Sequence, residues 1–195
     1  MKIIGICGSS GSGKSTFAKC FSKKGYPVFD CDEIYHDLIS SPSACLLEIS
    51  KEFGDSVIKN GALDRKALGS IVFSDSKKRN KLNTITHKFV LDELREKLSH
   101  AKNQGFELCV IDAPLLFEAG LDAWCDFVCC VDSSEDLQIQ RICERDKISR
   151  DDALLRIQSQ LKTQSLADRC DAVVLNHGDL ASLESECNKI INLLQ

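Results

Sequence analysis

Five short apolar runs separated by helix-spaced segments set the frame of this chain. Residues 2–8 contain Ile3-Ile4-Gly5-Ile6-Cys7, a continuous rather than alternating run, which predicts a strand covered on both faces. A helix is expected from Lys14 to about Lys24, with Phe17, Cys20 and Phe21 at i, i+3, i+4 and Gly25 as its stop. Residues 26–30 read as a second strand opened by Pro27. It ends in Asp30-Cys31-Asp32, a spacing that puts both carboxylates on one side if the strand continues. From Glu33 to His100 the pattern is mainly helical and carries no strong strand signal. Its interruptions are Ser40-Ser41-Pro42-Ser43, Gly54-Asp55 and Asn60-Gly61. Asp75 to about His100 predicts one long helix, on which Lys77, Lys78, Arg79 and Lys81 form a solvated face.

The apolar period returns at residues 106–112 and 126–131, two further strands. Asp132-Ser133-Ser134-Glu135 supplies capping residues for a helix with Ile139, Ile142 and Cys143 on one face and Arg141 and Arg145 on another. Ser149-Arg150-Asp151-Asp152 is a capping box for a helix through about Gln164. The two helices and their charged turn, with Arg141, Arg145, Arg150 and Arg156, have the character of a lid. Residues 171–175 are the fifth strand, Asn176-His177-Gly178 its loop, and Asp179 to Leu194 the closing helix. Strands alternating with helices predict an α/β fold with a parallel sheet, whose ligands bind beyond the carboxyl ends of the strands.

Between the first strand and first helix lies Gly8-Ser9-Ser10-Gly11-Ser12-Gly13-Lys14-Ser15-Thr16, a complete G-x-x-x-x-G-K-S phosphate-binding loop. Glycine permits the positive φ values that turn successive backbone N–H groups inward, and the helix adds its positive dipole end. In such a loop Lys14 lies against the β- and γ-phosphates, and the Ser15 hydroxyl binds Mg²⁺. A net charge of −4 over 195 residues gives no basic field to collect nucleic acid. No apolar run is long enough to span a bilayer and no signal peptide is indicated, so a cytoplasmic protein is expected. The eleven cysteines are odd in number, contain no C-x-x-C, and are not spaced as metal ligands with the four histidines. They read as reduced core residues, with Cys125, Cys129 and Cys130 the one group worth a thiol assay.

No N-K-x-D base-reading sequence occurs, which argues against a GTPase. A phosphotransferase needs a carboxylate near the acceptor hydroxyl and extra cations for the charge on the transferred group. Asp32, the helical block and the lid arginines fit those needs. Asp112, also at a strand end, could organise Mg²⁺ waters or cap the turn before Pro114.

Beyond the loop, the chain resembles the dephospho-CoA kinase family in Asp30-Cys31-Asp32, Phe53-Gly54, Asn60-Gly61-Ala62-Leu63-Asp64-Arg65, Val72-Phe73 and His87. Further matches are Pro114-Leu115-Leu116-Phe117-Glu118, Gln140-Arg141, Arg145-Asp146, Gln160, Asp171 and Asn176-His177-Gly178. The resemblance implies a P-loop kinase three-layer α/β/α fold with a five-stranded parallel sheet. The core would comprise about 1–31, 105–140 and 165–195, with a helical substrate-binding insertion at about 32–104 and a lid at about 141–164. It implies phosphorylation of the ribose 3′-hydroxyl of dephospho-CoA by ATP with Mg²⁺, the last step of coenzyme A synthesis, by a monomer or weak homo-oligomer. By position, Gly11, Ser12, Gly13, Lys14, Ser15 and Thr16 bind ATP phosphates, and Asp32 acts on the 3′-hydroxyl. Arg65, His87, Pro114, Leu115, Leu116 and Glu118 line the acceptor pocket, Arg141 and Arg145 serve the lid, and Asn176 lies beside the adenine.

Two departures stand out. The family usually opens its loop with Thr-Gly-Gly-Ile, where this chain has Cys7-Gly8-Ser9-Ser10, and the family's His-Pro pair is His87-Lys88 here. Competing readings are another P-loop small-molecule kinase acting on a nucleoside or hydroxylated metabolite, and a nucleotide-dependent binding module.

Overall fold

The computed structural model describes residues 1–73, 75–158 and 166–195. The chain divides into two compact units, Met1–Phe29 with Ala101–Gln195, and Asp30–His100.

In the first unit the apolar runs become β1 (Lys2–Cys7), β2 (Val28–Asp30), β5 (Leu108–Asp112), β6 (Phe127–Asp132) and β7 (Ala172–Leu175). They form one sheet in the order β2-β5-β1-β6-β7. The pairs β1–β5, β1–β6 and β6–β7 are parallel, with Ile6 opposite Asp112 and Cys7 opposite Cys130. Helix α1 (Lys14–Ser22) buries Phe17, Ala18, Cys20 and Phe21, the face that the i, i+3, i+4 spacing predicts. These residues share one core with Ile4, Ile6, Val110, Val131 and the last helix, α8 (Leu180–Leu194). Phe17 and Phe21 meet edge to face at 5.3 Å, a geometry the ring quadrupoles favour. On the opposite face of β1, Gly5 leaves room for Leu116 and Cys125, because a Cβ there would lie 2.8 Å from the Cys125 sulfur.

Helices α6 (Glu135–Asp146) and α7 (Arg150–Gln158) pack through Ile139, Ile142 and Ala153. Ser149 caps α7 as its box predicts, its Oγ accepting from Asp152 N at 3.1 Å. The expected run to Gln164, with Gln160, lies outside the described residues. At the start of α6 the capping residues expected in 132–135 divide: Ser134 stands at the N-cap without a side-chain bond. Instead the Asp132 carboxylate accepts from Ser133 N at 2.8 Å, and the Gln138 amide donates to the Ser133 carbonyl at 2.7 Å.

The second unit holds α2 (Cys31–Ser40), α3 (Ala44–Phe53), α4 (Arg65–Val72) and most of α5 (Ser76–Asn103), around Ile39, Cys45, Ile49, Val57, Leu68 and Ile85. Each helix begins at a capping side chain: Asp30, Ser43, Asp64 and Asp75 accept from the backbone N–H groups of the first turn. Such caps contribute about 1 kcal/mol each.

Two expectations are corrected in this unit. The strand does not continue through Asp32. Asp30 ends β2 and takes the N–H groups of Asp32 at 2.8 Å and Glu33 at 3.2 Å, which turns the chain into α2 at Cys31. The block also contains a hairpin, β3 (Ile58–Lys59) with β4 (Ala62–Leu63). Asn60 and Gly61 take φ values of 54° and 77°, the two positive angles that a two-residue hairpin turn requires.

Candidate active site

The phosphate loop is held from behind by hydrogen bonds from buried and half-buried side chains. Gly11 has φ 77° and packs so tightly on α6 that a Cβ would lie 2.6 Å from the Gln138 carbonyl oxygen. Gly13 has φ 99°, and a Cβ there would run into the Asn176 amide. Any larger residue at either position is thus both strained and obstructed.

Arg141 explains the orientation of the loop. Its Nη1 donates to the carbonyls of Gly11 at 3.0 Å and Ser12 at 3.2 Å and to Ser133 Oγ at 3.2 Å, while Nη2 reaches Asn176 Oδ1 at 3.3 Å. The buried Asn176 donates from Nδ2 to the Ser12 carbonyl at 2.7 Å and accepts from Gly178 N at 3.0 Å. In a trans peptide the N–H points opposite to the carbonyl it follows, so tethering the Ser12 carbonyl turns the Gly13 N–H the other way. A third tether joins Ser9 Oγ to Gln138 Oε1 at 3.0 Å, with both side chains buried. Neither Ser9 nor Gln138 was singled out by the sequence reading. The two lie 129 positions apart, and no local spacing announces the pair.

The front of the loop suits an anion. Ser12 Oγ is wholly buried and has no partner among the described residues, an arrangement that an incoming phosphate oxygen would satisfy. Lys14 opens α1 next to Gly13, so its cation sits at the positive end of the helix dipole, a placement that is unfavourable until an anion neutralises it. Ser15 and Thr16 are exposed in the same first turn.

Other expected residues of this unit divide by exposure. Asp112 ends β5 and is 3 % exposed. In the turn after it, Pro114 is half-buried, while Leu115 is 51 % exposed and Glu118 exposed. Leu116, in contrast, is 0 % exposed and lies against Gly5. Its side chain fixes the turn and has no surface to offer an acceptor. Arg145 Nε and Nη2 grip Asp146 at 2.7 and 2.9 Å, and Arg156 Nη1 reaches the same carboxylate at 2.6 Å. The Arg145 hydrogen bonds and charge hold the Asp146 carboxyl below the usual range. Arg145 Nη2 also lies 3.5 Å from Ser10 Oγ.

In the second unit, Asp32 is exposed in the first turn of α2 and Arg65 is exposed as the first residue of α4. Arg65, like Lys14, places a cation against the helix dipole. His87 is half-buried in α5, which runs through position 88 without a break. The lysine that stands where the family has proline keeps its N–H and lets the helix continue, and its Nζ lies 3.7 Å from Glu48. A groove of about 720 Å³ in this unit is lined by Pro42, Leu46, Leu47 and Ile58, and by none of Asp32, Arg65 or His87.

The parallel sheet, the clamped phosphate loop and the paired helices α6 and α7 define a P-loop kinase fold. The family model described as dephospho-CoA kinase matches residues 2–182. A dephospho-CoA kinase of Fusobacterium nucleatum is 40 % identical over 93 % of this chain and 92 % of its own. A solved Thermus thermophilus structure is similar at 31 % identity and TM-score 0.82, over 100 % of this chain and 98 % of that one. The dephospho-CoA kinase of Campylobacter jejuni is similar at 26 % identity and TM-score 0.72, over 98 % and 96 %. The chain belongs to the dephospho-CoA kinase family.

Proposed function

We propose that this protein transfers the γ-phosphoryl group of ATP to the ribose 3′-hydroxyl of dephospho-CoA, giving coenzyme A and ADP. The observation that carries the reading is the phosphate loop, held in a donor-ready shape by Arg141 and Asn176 in a chain of this family. Gly11 to Thr16 cradle the triphosphate, with Lys14 against its terminal phosphates. Arg141 fixes the loop and leaves its positive charge behind it. Phosphoryl transfer has a loose transition state, so positioning and electrostatics carry most of the catalysis. Asp32 orients the 3′-hydroxyl and accepts its proton late. Within the helical block at about 32–104, Arg65 and His87 serve the acceptor; the resemblance assigns the same role to Pro114, Leu115, Leu116 and Glu118. Helices α6 and α7 form the lid, on which Arg145 serves the nucleotide.

The donors for a divalent cation are hard oxygens, the Ser15 hydroxyl and the Asp112 carboxylate. Among the described residues no three His, Cys, Asp or Glu side chains could hold a metal by themselves. That set suits Mg²⁺ shared with substrate phosphates rather than caged by protein. When bound, Mg²⁺ supplies neutralisation of phosphate charge.

The test is an acceptor panel of dephospho-CoA, nucleosides and shikimate, assayed with purified protein, ATP and Mg²⁺. Phosphorylation of dephospho-CoA at the 3′ position is expected. Transfer to a nucleoside or shikimate with none to dephospho-CoA overturns the proposal. ATP turnover that ignores every acceptor favours a nucleotide-driven binding module instead.

A further inference from the structure

The cysteines that gather in space are not those that gather in sequence. Cys125 donates to the Leu121 carbonyl at 3.2 Å, and Cys129 turns to the Gly5 carbonyl at 3.6 Å. Cys130, on the other face of β6, lies in register with Cys7 at the end of β1, and Cys170 reaches both from just before β7. The sulfurs of Cys7 and Cys170 are 3.5 Å apart.

The three thiols differ in reactivity. Hydrogen bonds from Cys130 and then Cys7 favour the Cys170 thiolate and bring its pKa down to about 4. Hydrogen bonding with Cys130 and then Cys170 pushes the Cys7 thiol up, and hydrogen bonding with Cys170 pushes Cys130 up to about 11. Cys170 is half-buried while its two partners are buried. Elsewhere burial pushes the thiols of Cys45, Cys109, Cys125 and Cys187 up to between about 11 and 12. A half-buried sulfur 3.5 Å from a buried second thiol, with hydrogen bonds that favour its thiolate, is the arrangement that reactive thiol pairs share.

We propose that Cys170 and Cys7 are a peroxide-sensitive dithiol at the root of the phosphate loop, with Cys170 the nucleophile and Cys7 the resolving thiol. The oxidant is hydrogen peroxide. The Cys170 thiolate attacks one peroxide oxygen, the O–O bond breaks, and hydroxide leaves, so that sulfur becomes a sulfenic acid. Cys7 then displaces the sulfenic oxygen. The S–S bond forms, the S–O bond breaks, and water leaves with the Cys7 proton. Two thiol electrons reduce one peroxide, and a dithiol reductant reverses the change.

The disulfide acts on the loop through Gly8. Closing 3.5 Å to a bond of about 2.05 Å draws Cys7 toward Cys170. The next residue, Gly8, has φ 141° and no room to spare: a Cβ there would strike the Val131 carbonyl oxygen and lie 3.0 Å from Ser12 Oγ. The loop cannot absorb the pull without moving Ser12.

The experiment treats reduced protein with stoichiometric hydrogen peroxide, maps the non-reduced digest by mass spectrometry, and titrates ATP by calorimetry before and after. The expected results are a Cys7–Cys170 linked peptide, a loss of ATP affinity of about tenfold or more, and recovery with dithiothreitol. Cys170→Ser should form no link and keep its ATP affinity in peroxide. Cys7→Ala should leave a sulfenic acid on Cys170 that dimedone traps. A dominant link through Cys130, dimedone labelling of Cys170 no faster than of Cys31 or Cys143, or equal loss of affinity in Cys170→Ser overturns the proposal. If Cys170→Ser does not fold, the wild-type peptide map decides alone. None of these readouts uses an acceptor, so their failure is distinguishable from failure of the phosphotransferase reading.

Discussion

The phosphate loop and the helical unit present their candidate residues in opposite ways. In the loop the groups proposed to work are backbone dipoles, and the side chains behind them are bonded, Asn176 and Gln138 buried and Arg141 half-buried: Arg141 to two loop carbonyls, Asn176 to one, Gln138 to Ser9. In the helical unit the groups proposed to work are exposed side chains, Asp32 and Arg65, each at a capped helix start. A site for the same triphosphate moiety at every turnover gains from fixed dipoles. A site for a long flexible acceptor needs anchored backbones whose side chains can reorient. The two regions share one device, a cation opposed to a helix dipole, in Lys14 and Arg65.

Breaking the donor half at its charge has the largest expected effect. Lys14→Ala should lower phosphoryl transfer by about 10⁴-fold, the scale of a cation acting on the transferred group. Because that cation opposes the helix dipole, the melting temperature should hold or rise. A fall in Tm together with activity would make Lys14 structural. On the acceptor half, Asp32→Asn should lower kcat by about 10²- to 10³-fold with the KM for ATP unchanged. Full turnover in that variant removes the assigned role.

What could be read in the sequence divides along the same line. The loop is legible because its chemistry lies in contiguous backbone with a fixed spacing of glycines, Lys14 and Ser15, and the sheet is legible because β1 and β5 are unbroken apolar runs. The hairpin of β3 and β4 is not legible because two-residue strands leave no period to detect, although Asn60-Gly61 carries the turn signal. The clamp was only half visible. The sequence places Arg141 on the lid, but its partners lie 130 and 129 positions away, and only the stacking of α6 on the loop brings them together. The thiols mislead for a related reason, because alternation along β6 sends Cys129 and Cys130 to opposite faces. Neighbours in sequence therefore separate, and Cys7 and Cys170 converge.

The clamp itself gives the next effects. Arg141→Ala frees the loop carbonyls and should lower kcat/KM by about 10²-fold, the cost of slight misplacement, with rate affected more than the KM for dephospho-CoA. An unchanged rate would return Arg141 to an ordinary surface face. Gln138→Leu removes both tethers of a buried amide and strands the Ser9 hydroxyl and the Ser133 carbonyl. Chemical denaturation should show a loss of about 1–3 kcal/mol. Adding Ser9→Ala should recover part of it, since the hydroxyl then has nothing to satisfy, whereas strictly additive losses would show that the two side chains are not coupled.

The smallest effect is expected where the clamp gives way to exposed charge. Asp146 takes two hydrogen bonds from Arg145 and one from Arg156, yet it is only half-buried and both arginines are exposed, a setting in which ion pairs contribute little. Its carboxyl is held below the usual range in the folded protein, first by the Arg145 hydrogen bond. A carboxylate depressed on folding contributes stability above its unfolded pKa and loses that contribution as pH falls through the folded value. Asp146→Asn should therefore leave Tm near neutral pH almost unchanged and slightly flatten the decline of Tm with acid below the normal carboxylate range. Raising salt at neutral pH should likewise shift wild type toward the variant, because such pairs are screened far more than the buried bonds of Gln138 and Asn176. If Asp146→Asn instead cost as much as Gln138→Leu, the lid network would belong with the clamp, and the division between a rigid donor site and adaptable exposed charge would fall elsewhere in the molecule.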